Sequence, residues 1–210
     1  MNNVNVINNI GKDVNITVNE NLDKIEIVID LASKDFKLPN NLKFGDVFKD
    51  IDGEEWIFLC RDMETGNASI LKKEPLQKMK FSDSNNNYNG CSIDKYLCNT
   101  YLPELERKFG KDNIVEHEVD LLSLDGENDY GVIKRKVSIP TLDVYRYNKK
   151  AIKEHINEWF WLCTPNSTPS GYGSNFVQYV ISNGDVSFSW YSSCGSVRPF
   201  LILKDSVFEK

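Results

Sequence analysis

The chain reads as an α+β domain dominated by antiparallel sheet and preceded by an N-terminal β-hairpin arm. Three observations predict this. Apolar residues fall on alternate positions through much of the first 31 residues, the period of a strand with one apolar face. The dipeptides Asp52-Gly53 and Asn183-Gly184 each sit between two strand-like runs, a strong short-range hairpin signal. Helical spacing is confined to short stretches after Ser92 and after Lys149. With 210 residues, 40% hydrophobic and 27% charged, the expected organisation is one domain with a small appendage, and a chain disordered throughout is excluded.

The arm comes first. Val4 and Val6, then Val14, Ile16 and Val18, then Ile25, Ile27, Ile29 and Leu31 alternate, with residues 19–23 as the turn. An isolated hairpin is marginal in water, and strand edges recruit strands from other chains. Residues 1–37 are therefore expected to make a homo-oligomer or to dock on a partner. A polar linker over residues 34–41, containing Pro39, leads into a domain assigned to residues 38–210.

Within that domain, residues 44–51 and 54–60 flank Asp52-Gly53 as a hairpin, and residues 68–71 supply a third strand. A polar loop covers residues 82–90. Ser92 is the expected helix N-cap. Pro103 suits the first turn of a second short helix, which Gly110 ends. Residues 111–139 are mixed, with Leu121, Leu122 and Leu124 as their apolar anchor, and residues 149–156 read as one more short helix. Residues 159–163 are an apolar run and 166–174 a loop. Residues 175–181 and 185–190 flank Asn183-Gly184, predicting a type I′ hairpin. In its second strand Val186, Phe188 and Trp190 alternate with Asp185, Ser187 and Ser189, predicting one buried and one wet face. Residues 196–203 form the last strand, and Pro199 argues for an edge or a strand start.

Charge and cysteine usage narrow the function classes. A net charge of -6 gives no overall attraction for phosphate backbones, so no nucleic-acid partner is expected. No apolar run approaches the roughly 20 residues that span a bilayer, so no membrane partner is expected. The N-terminus has neither a basic nor an apolar targeting segment, and the expected location is the cytoplasm or a phage particle assembled there. The cysteines Cys60, Cys91, Cys98, Cys163 and Cys194 are then expected as reduced thiols. None forms a C-x-x-C pair and both histidines, His117 and His155, lie far from them in sequence, so no metal site and no cofactor is expected. Arginine is scarce and asparagine and lysine abundant, the usage of AT-rich coding DNA in a low-GC bacterium or its phage.

The order Phe160-Trp161-Leu162-Cys163-Thr164-Pro165, then Asn183-Gly184, then Val197-Arg198-Pro199 resembles an uncharacterised bacterial and phage family with a W-L-R-S-P…G…V-R-P ending. Phe44-Gly45 followed by Trp56, residues 92–102, and Ser138-Ile139-Pro140-Thr141-Leu142 extend the resemblance upstream. It covers roughly residues 42–204 and leaves the arm outside. The family is similar to C-type-lectin-like domains of the formylglycine-generating-enzyme type, a fold also used by phage tropism determinants. The resemblance implies a twisted antiparallel sheet with two short helices and a long irregular loop region. Cys163 stands where the family usually has arginine.

The candidate sites divide into structural and functional sets. Trp56, Trp161 and Arg198 are expected to be structural: the indoles as core, the guanidinium bridging carboxylates or carbonyls because a desolvated arginine needs partners. His117, in Glu116-His117-Glu118, reads as part of a solvated charged segment. Cys163 and Cys194 carry the alternative of a cysteine-modifying oxidase of the formylglycine-generating type, but they lie 31 positions apart and no catalytic residue is assigned. What remains is Asn166, Tyr172, Asn175, Gln178, Trp190 and Tyr191 around the C-terminal hairpin. Tyr, Ser, Asn and Gly enrichment is what adaptable binding surfaces use. The expected function is a non-enzymatic binding or structural module, phage or prophage encoded, that recognises a protein or glycan surface.

Overall fold

The computed structural model describes residues 14–21, 24–31 and 36–209. It divides into two units, residues 1–36 and 37–210. In the first, β1 (Val14–Asn21) and β2 (Lys24–Leu31) pair antiparallel. Their register sets Val14 opposite Leu31, Ile16 opposite Ile29 and Val18 opposite Ile27, so the alternating positions become cross-strand partners. Val4 and Val6 lie outside the described residues.

The second unit is α+β, mostly strand, with two helical segments. It opens with β3 (Val47–Lys49), β4 (Glu55–Arg61), β5 (Ala68–Lys72) and β6 (Lys78–Lys80). A helical run follows: α1 (Ser92–Tyr96), a π-type turn (Leu97–Tyr101) and α2 (Leu102–Phe109). Short strands β7 (Ile114–Val115), β8 (His117–Asp120), β9 (Val132–Arg135) and β10 (Val137–Ser138) precede α3 (Leu142–Lys153). The chain ends with β11 (Phe160–Pro165), β12 (Phe176–Val180), β13 (Val186–Trp190), β14 (Cys194–Ser196) and β15 (Phe200–Leu203).

Two large open sheets result, with β8 and β9 as a separate antiparallel pair. One is six-stranded, ordered β10-β15-β5-β4-β3 with β7 also on β15; the other is five-stranded, ordered β13-β12-β11-β14-β6. Pairing is antiparallel apart from β11 with β14. Helix α3 lies over the junction: Leu142, Tyr145, Ala151 and Ile152 share one core cluster with Ile57, Leu59, Leu71 and Phe200 of the larger sheet and Phe160, Leu162 and Val180 of the smaller. Each such fully buried side chain contributes about 1.5–3 kcal/mol.

Several elements differ from the sequence expectation, each for a local reason. Both Asp-Gly and Asn-Gly turns are longer than two residues. Asp50 N–H donates to the Glu54 carbonyl at 2.9 Å and Ile181 N–H to that of Asp185 at 2.9 Å, leaving residues 51–53 and 182–184 as the loops. Only Gly53 (φ +84°) and Gly184 (φ +86°) are left-handed there. A type I′ turn needs two such residues, so these are three-residue loops with glycine at the left-handed position. The first helix is capped by Cys91, whose Sγ accepts from Asp94 N–H at 3.4 Å, and not by Ser92. Pro103 sits in the first turn of α2 and Gly110 follows its end, as expected, but no break separates α2 from α1. The helix widens instead, Leu102 N–H bonding to the Leu97 carbonyl five residues back, just before the position with no N–H to give. Helix α3 starts seven residues ahead of the expected position because Thr141 caps it, its Oγ1 accepting from Val144 N–H at 3.1 Å. Of the expected leucine anchor only Leu121 is buried, and Leu122 and Leu124 face solvent. The expected linker contains a docked residue: Leu38 is buried and bridges Phe208 in parallel.

Candidate functional site

The three residues read as structural are all interior. Trp161 is fully buried on β11, and its Nε1 donates to the Met79 carbonyl at 3.2 Å. Phe81, Trp159 and Tyr179 surround it edge-on or tilted, with ring centroids 5.0–6.2 Å away. Gly195 passes so close that a Cβ there would sit 2.2 Å from the Trp159 ring. Trp56 is fully buried, donates to Asp50 Oδ2 at 3.1 Å and stands edge-on to Phe109. Arg198 bridges carbonyls: Nε donates to Lys72 O at 3.0 Å and Nη2 to Lys73 O at 2.7 Å, with the guanidinium over the Phe160 ring. Burial pulls its pKa down to about 10, so it stays charged at neutral pH.

The six residues read as a binding surface gather around β12, β13 and the loop before them, but they are not equivalent. Tyr172 stands almost free of the domain, 94% exposed. Asn175 is exposed and its carbonyl accepts from Tyr191 N–H at 3.0 Å, which closes the open end of the hairpin. Gln178 is buried and spends its amide on Asn166 Oδ1 at 2.8 Å. Asn166 and Gln178 are therefore spent on each other, Gln178 standing opposite Phe188 in the register, while Tyr172, Asn175, Trp190 and the partly buried Tyr191 are the more exposed members.

One expectation about this hairpin is overturned. The row Val186, Phe188 and Trp190 was expected to be buried, yet it is 38%, 53% and 51% exposed. The cause is strand order. β13 ends its sheet; the core cluster under α3 reaches Val180 on β12 and includes no residue of β13. Alternation shows that a strand has an apolar face but cannot show that anything covers it. Phe176, opposite Trp190 in the register, completes the cluster with ring centroids 4.6 Å from Trp190 and 5.3 Å from Phe188. The sequence reading does not single out Phe176 and takes Phe188 only as part of the buried row; the three-residue loop, one residue longer than expected, is what sets Phe176 opposite Trp190 and diagonal to Phe188.

A second concave region lies at the start of α3. His117, Ser138, Thr141, Thr164 and Phe200 line a cavity of about 300 Å³, with Glu118, Asp120, Asp143 and Arg146 among its other lining residues. His117 was expected in a solvated segment. Instead it is paired in β8, its Nε2 lies 3.2 Å from Ser138 Oγ, and its ring stands edge-on to Phe200 at 5.2 Å. Burial lowers its pKa to about 4, against a smaller opposing pull from the Val115 backbone. Such an imidazole is neutral at pH 7 and a weak base, and the Ser138 side chain it faces is itself buried. The alternation Val115, His117, Val119 against Glu116, Glu118, Asp120 was the signal that could have placed the ring inward.

The cysteines are all free thiols. Cys163 is fully buried, and desolvation pushes its pKa far above the usual thiol range. Cys194 is exposed on β14. Among the described residues no three His, Cys, Asp or Glu side chains converge where they could hold a metal ion, and no helix is long and apolar enough to cross a membrane. Comparison with protein families, with curated proteins and with solved structures returned no match to the chain.

Proposed function

We propose that the chain is a non-enzymatic binding module with a C-type-lectin-like domain, phage or prophage encoded, that recognises a protein or glycan surface through the open end of the β12–β13 hairpin. The observation that carries this reading is the half-exposed aromatic cluster. Phe188 and Trp190 are half-exposed and packed on Phe176, and Tyr172 and Asn175 are exposed in the loop that leads into β12. Monomeric surfaces seldom leave several large apolar side chains together without a partner for them, and aromatic rings next to amides and hydroxyls are suited to sugar faces and to peptide. On the same face Gln178, opposite Phe188, bonds to Asn166 Oδ1 in the loop before β12, which ties that loop to the hairpin before a ligand arrives. The oxidase alternative has less support, because Cys163 is sealed and its thiolate strongly disfavoured. In this reading the arm, residues 1–37, joins the domain to a homo-oligomer or a larger assembly.

The test is a paired glycan and peptide array probed with the full-length chain and with Tyr172→Ala and Trp190→Ala. Both side chains are largely out of the core, so melting temperatures should stay within a few degrees of the parent. A signal lost at least tenfold in both variants supports the reading. A signal that survives both substitutions, or no signal on either array, overturns it.

A further inference from the structure

The edges of the two large sheets are not treated alike. β6, one edge of the five-stranded sheet, is Lys78-Met79-Lys80, and β3, an edge of the larger sheet, is short and ends in Lys49. β10, the other end of the larger sheet, has two residues. Lysine and brevity are the usual means of keeping a strand edge from pairing with another chain. β13 has neither. It is Val-Ser-Phe-Ser-Trp over five residues, with no charge, no proline and an unbroken register to β12.

The main chain of this edge is poised in a definite phase. Tyr191 N–H bonds to Asn175 O, and Asp185 O accepts from Ile181 N–H. Both are odd-numbered residues facing β12. Main-chain groups alternate sides along an antiparallel strand, so Val186, Phe188 and Trp190 turn theirs to the outer edge. These are also the residues whose side chains are 38–53% exposed. Val186 and Phe188 leave these outward groups unpaired, and Trp190 leaves its N–H, its carbonyl accepting from Ser193 N–H at 2.9 Å; outward main chain and uncovered apolar side chains thus belong to the same three positions.

We infer that β13 pairs antiparallel with β13 of a second copy, about a two-fold axis through Phe188. Three features fit a copy of the chain. The outward-bonding set is centred on Phe188, so this axis sets every outward residue against an outward residue: Phe188 opposite Phe188, and Val186 opposite Trp190. Cross-strand partners share a face, so the apolar row of one copy continues into that of the other, small Val186 against large Trp190. A strand paired with itself usually brings like charges together, but β13 has none, and Asp185, just before it, falls opposite Tyr191. The interface is isologous and closes at two copies, joining two five-stranded sheets into one. It uses the hydrogen-bonding edge of the strand whose exposed side chains carry the ligand reading, does not depend on that reading, and does not involve the arm.

Site-specific disulfide trapping tests this on the full-length chain at tens of micromolar. Cys60 and Cys194, the exposed thiols, are first changed to serine. In that background Phe188→Cys places two thiols across a hydrogen-bonded pair, with Cα atoms roughly 5.5 Å apart, inside the span a disulfide bridges. Val186→Cys places its two copies four residues apart along the ladder, roughly 14 Å, beyond that span. Mild oxidation should give a covalent dimer on a non-reducing gel for Phe188→Cys and little for Val186→Cys. The double variant Val186→Cys/Trp190→Cys should also cross-link, and it keeps the test decisive if Phe188→Cys misfolds by circular dichroism. Equal cross-linking of both single variants, or none from Phe188→Cys and from the double variant, would overturn the pairing, including the case in which a strand of another protein uses this edge.

Discussion

Acidifying the solution from pH 7.5 to 4.5 should cost the fold about 2.5 kcal/mol through His117 alone. The imidazole titrates near 6.5 in the unfolded chain and, because it is buried, near 4 in the folded one. Above pH 6.5 neither state binds the proton, and the full stability is present. As pH falls the unfolded chain takes up a proton that the folded chain refuses, so stability declines until the folded ring titrates as well. The gap between the two values is worth about 3 kcal/mol at most, and most of it falls inside the stated range. Carboxylates titrate in the same interval, so the measurement is a difference. Urea unfolding followed by tryptophan fluorescence at both pH values is compared between the parent and His117→Gln, which keeps a hydrogen-bonding group facing Ser138 but does not titrate. The parent should lose about 2.5 kcal/mol more than the variant. Pairs of curves that fall in parallel, within about 0.5 kcal/mol, would mean that the ring is hydrated in the folded protein and that its packing against Phe200 does not exclude water.

Trp161→Ala should remove about 3–5 kcal/mol and leave little soluble protein; a variant with a near-normal melting temperature would refute its place in the core. Lys108, whose ammonium is buried among Asp50, Glu54 and Glu104, should be similarly sensitive. Lys108→Met strands the buried Asp50 carboxylate at a cost of about 3–5 kcal/mol, measurable by urea unfolding, and a loss below 1 kcal/mol would contradict a buried ion pair. Thiol labelling at pH 8 should modify Cys60 and Cys194 promptly in the native protein. It should spare Cys91, whose pKa burial pushes up to about 12, and the sealed Cys163; denaturant should release all five. Rapid native labelling of Cys163 would reopen the oxidase reading.

The parts of the fold that are local were legible, and the parts that depend on distant chain were not. Glycine after Asp52 and after Asn183 marks two hairpins because a left-handed backbone position is a property of a few residues in sequence. The strands β7 to β10 have two to four residues each, too few to show a period, and β7 and β10 exist because β15, more than 60 residues later, offers them an edge. Helix α3 has a readable start in Thr141-Leu142-Asp143, a capping residue before an acidic first turn, seven residues ahead of the expected boundary at Lys149. The surface set was partly legible. Tyr172 and Asn175 are exposed as loop chemistry suggests, whereas Gln178 is covered on the second strand of its sheet, and Phe188, its partner on the same face, is left uncovered because β13 ends the sheet. The cavity beside His117 draws its walls from β8, β10, α3 and β11, a convergence that spacing in sequence does not encode.

The bridge between Leu38 and Phe208 has an architectural consequence. Leu38 N–H bonds to the Val207 carbonyl and Glu209 N–H to that of Leu38, so the first and last stretches of the domain lie one strand spacing apart, roughly 4.8 Å. A domain whose ends meet can be spliced into a surface loop of an unrelated host protein without prising that loop open. The same closure lets the domain be opened elsewhere. A short linker from residue 209 back to residue 37, with new termini opened at the exposed tip near Gly126, should yield a permuted chain that folds to the same two sheets.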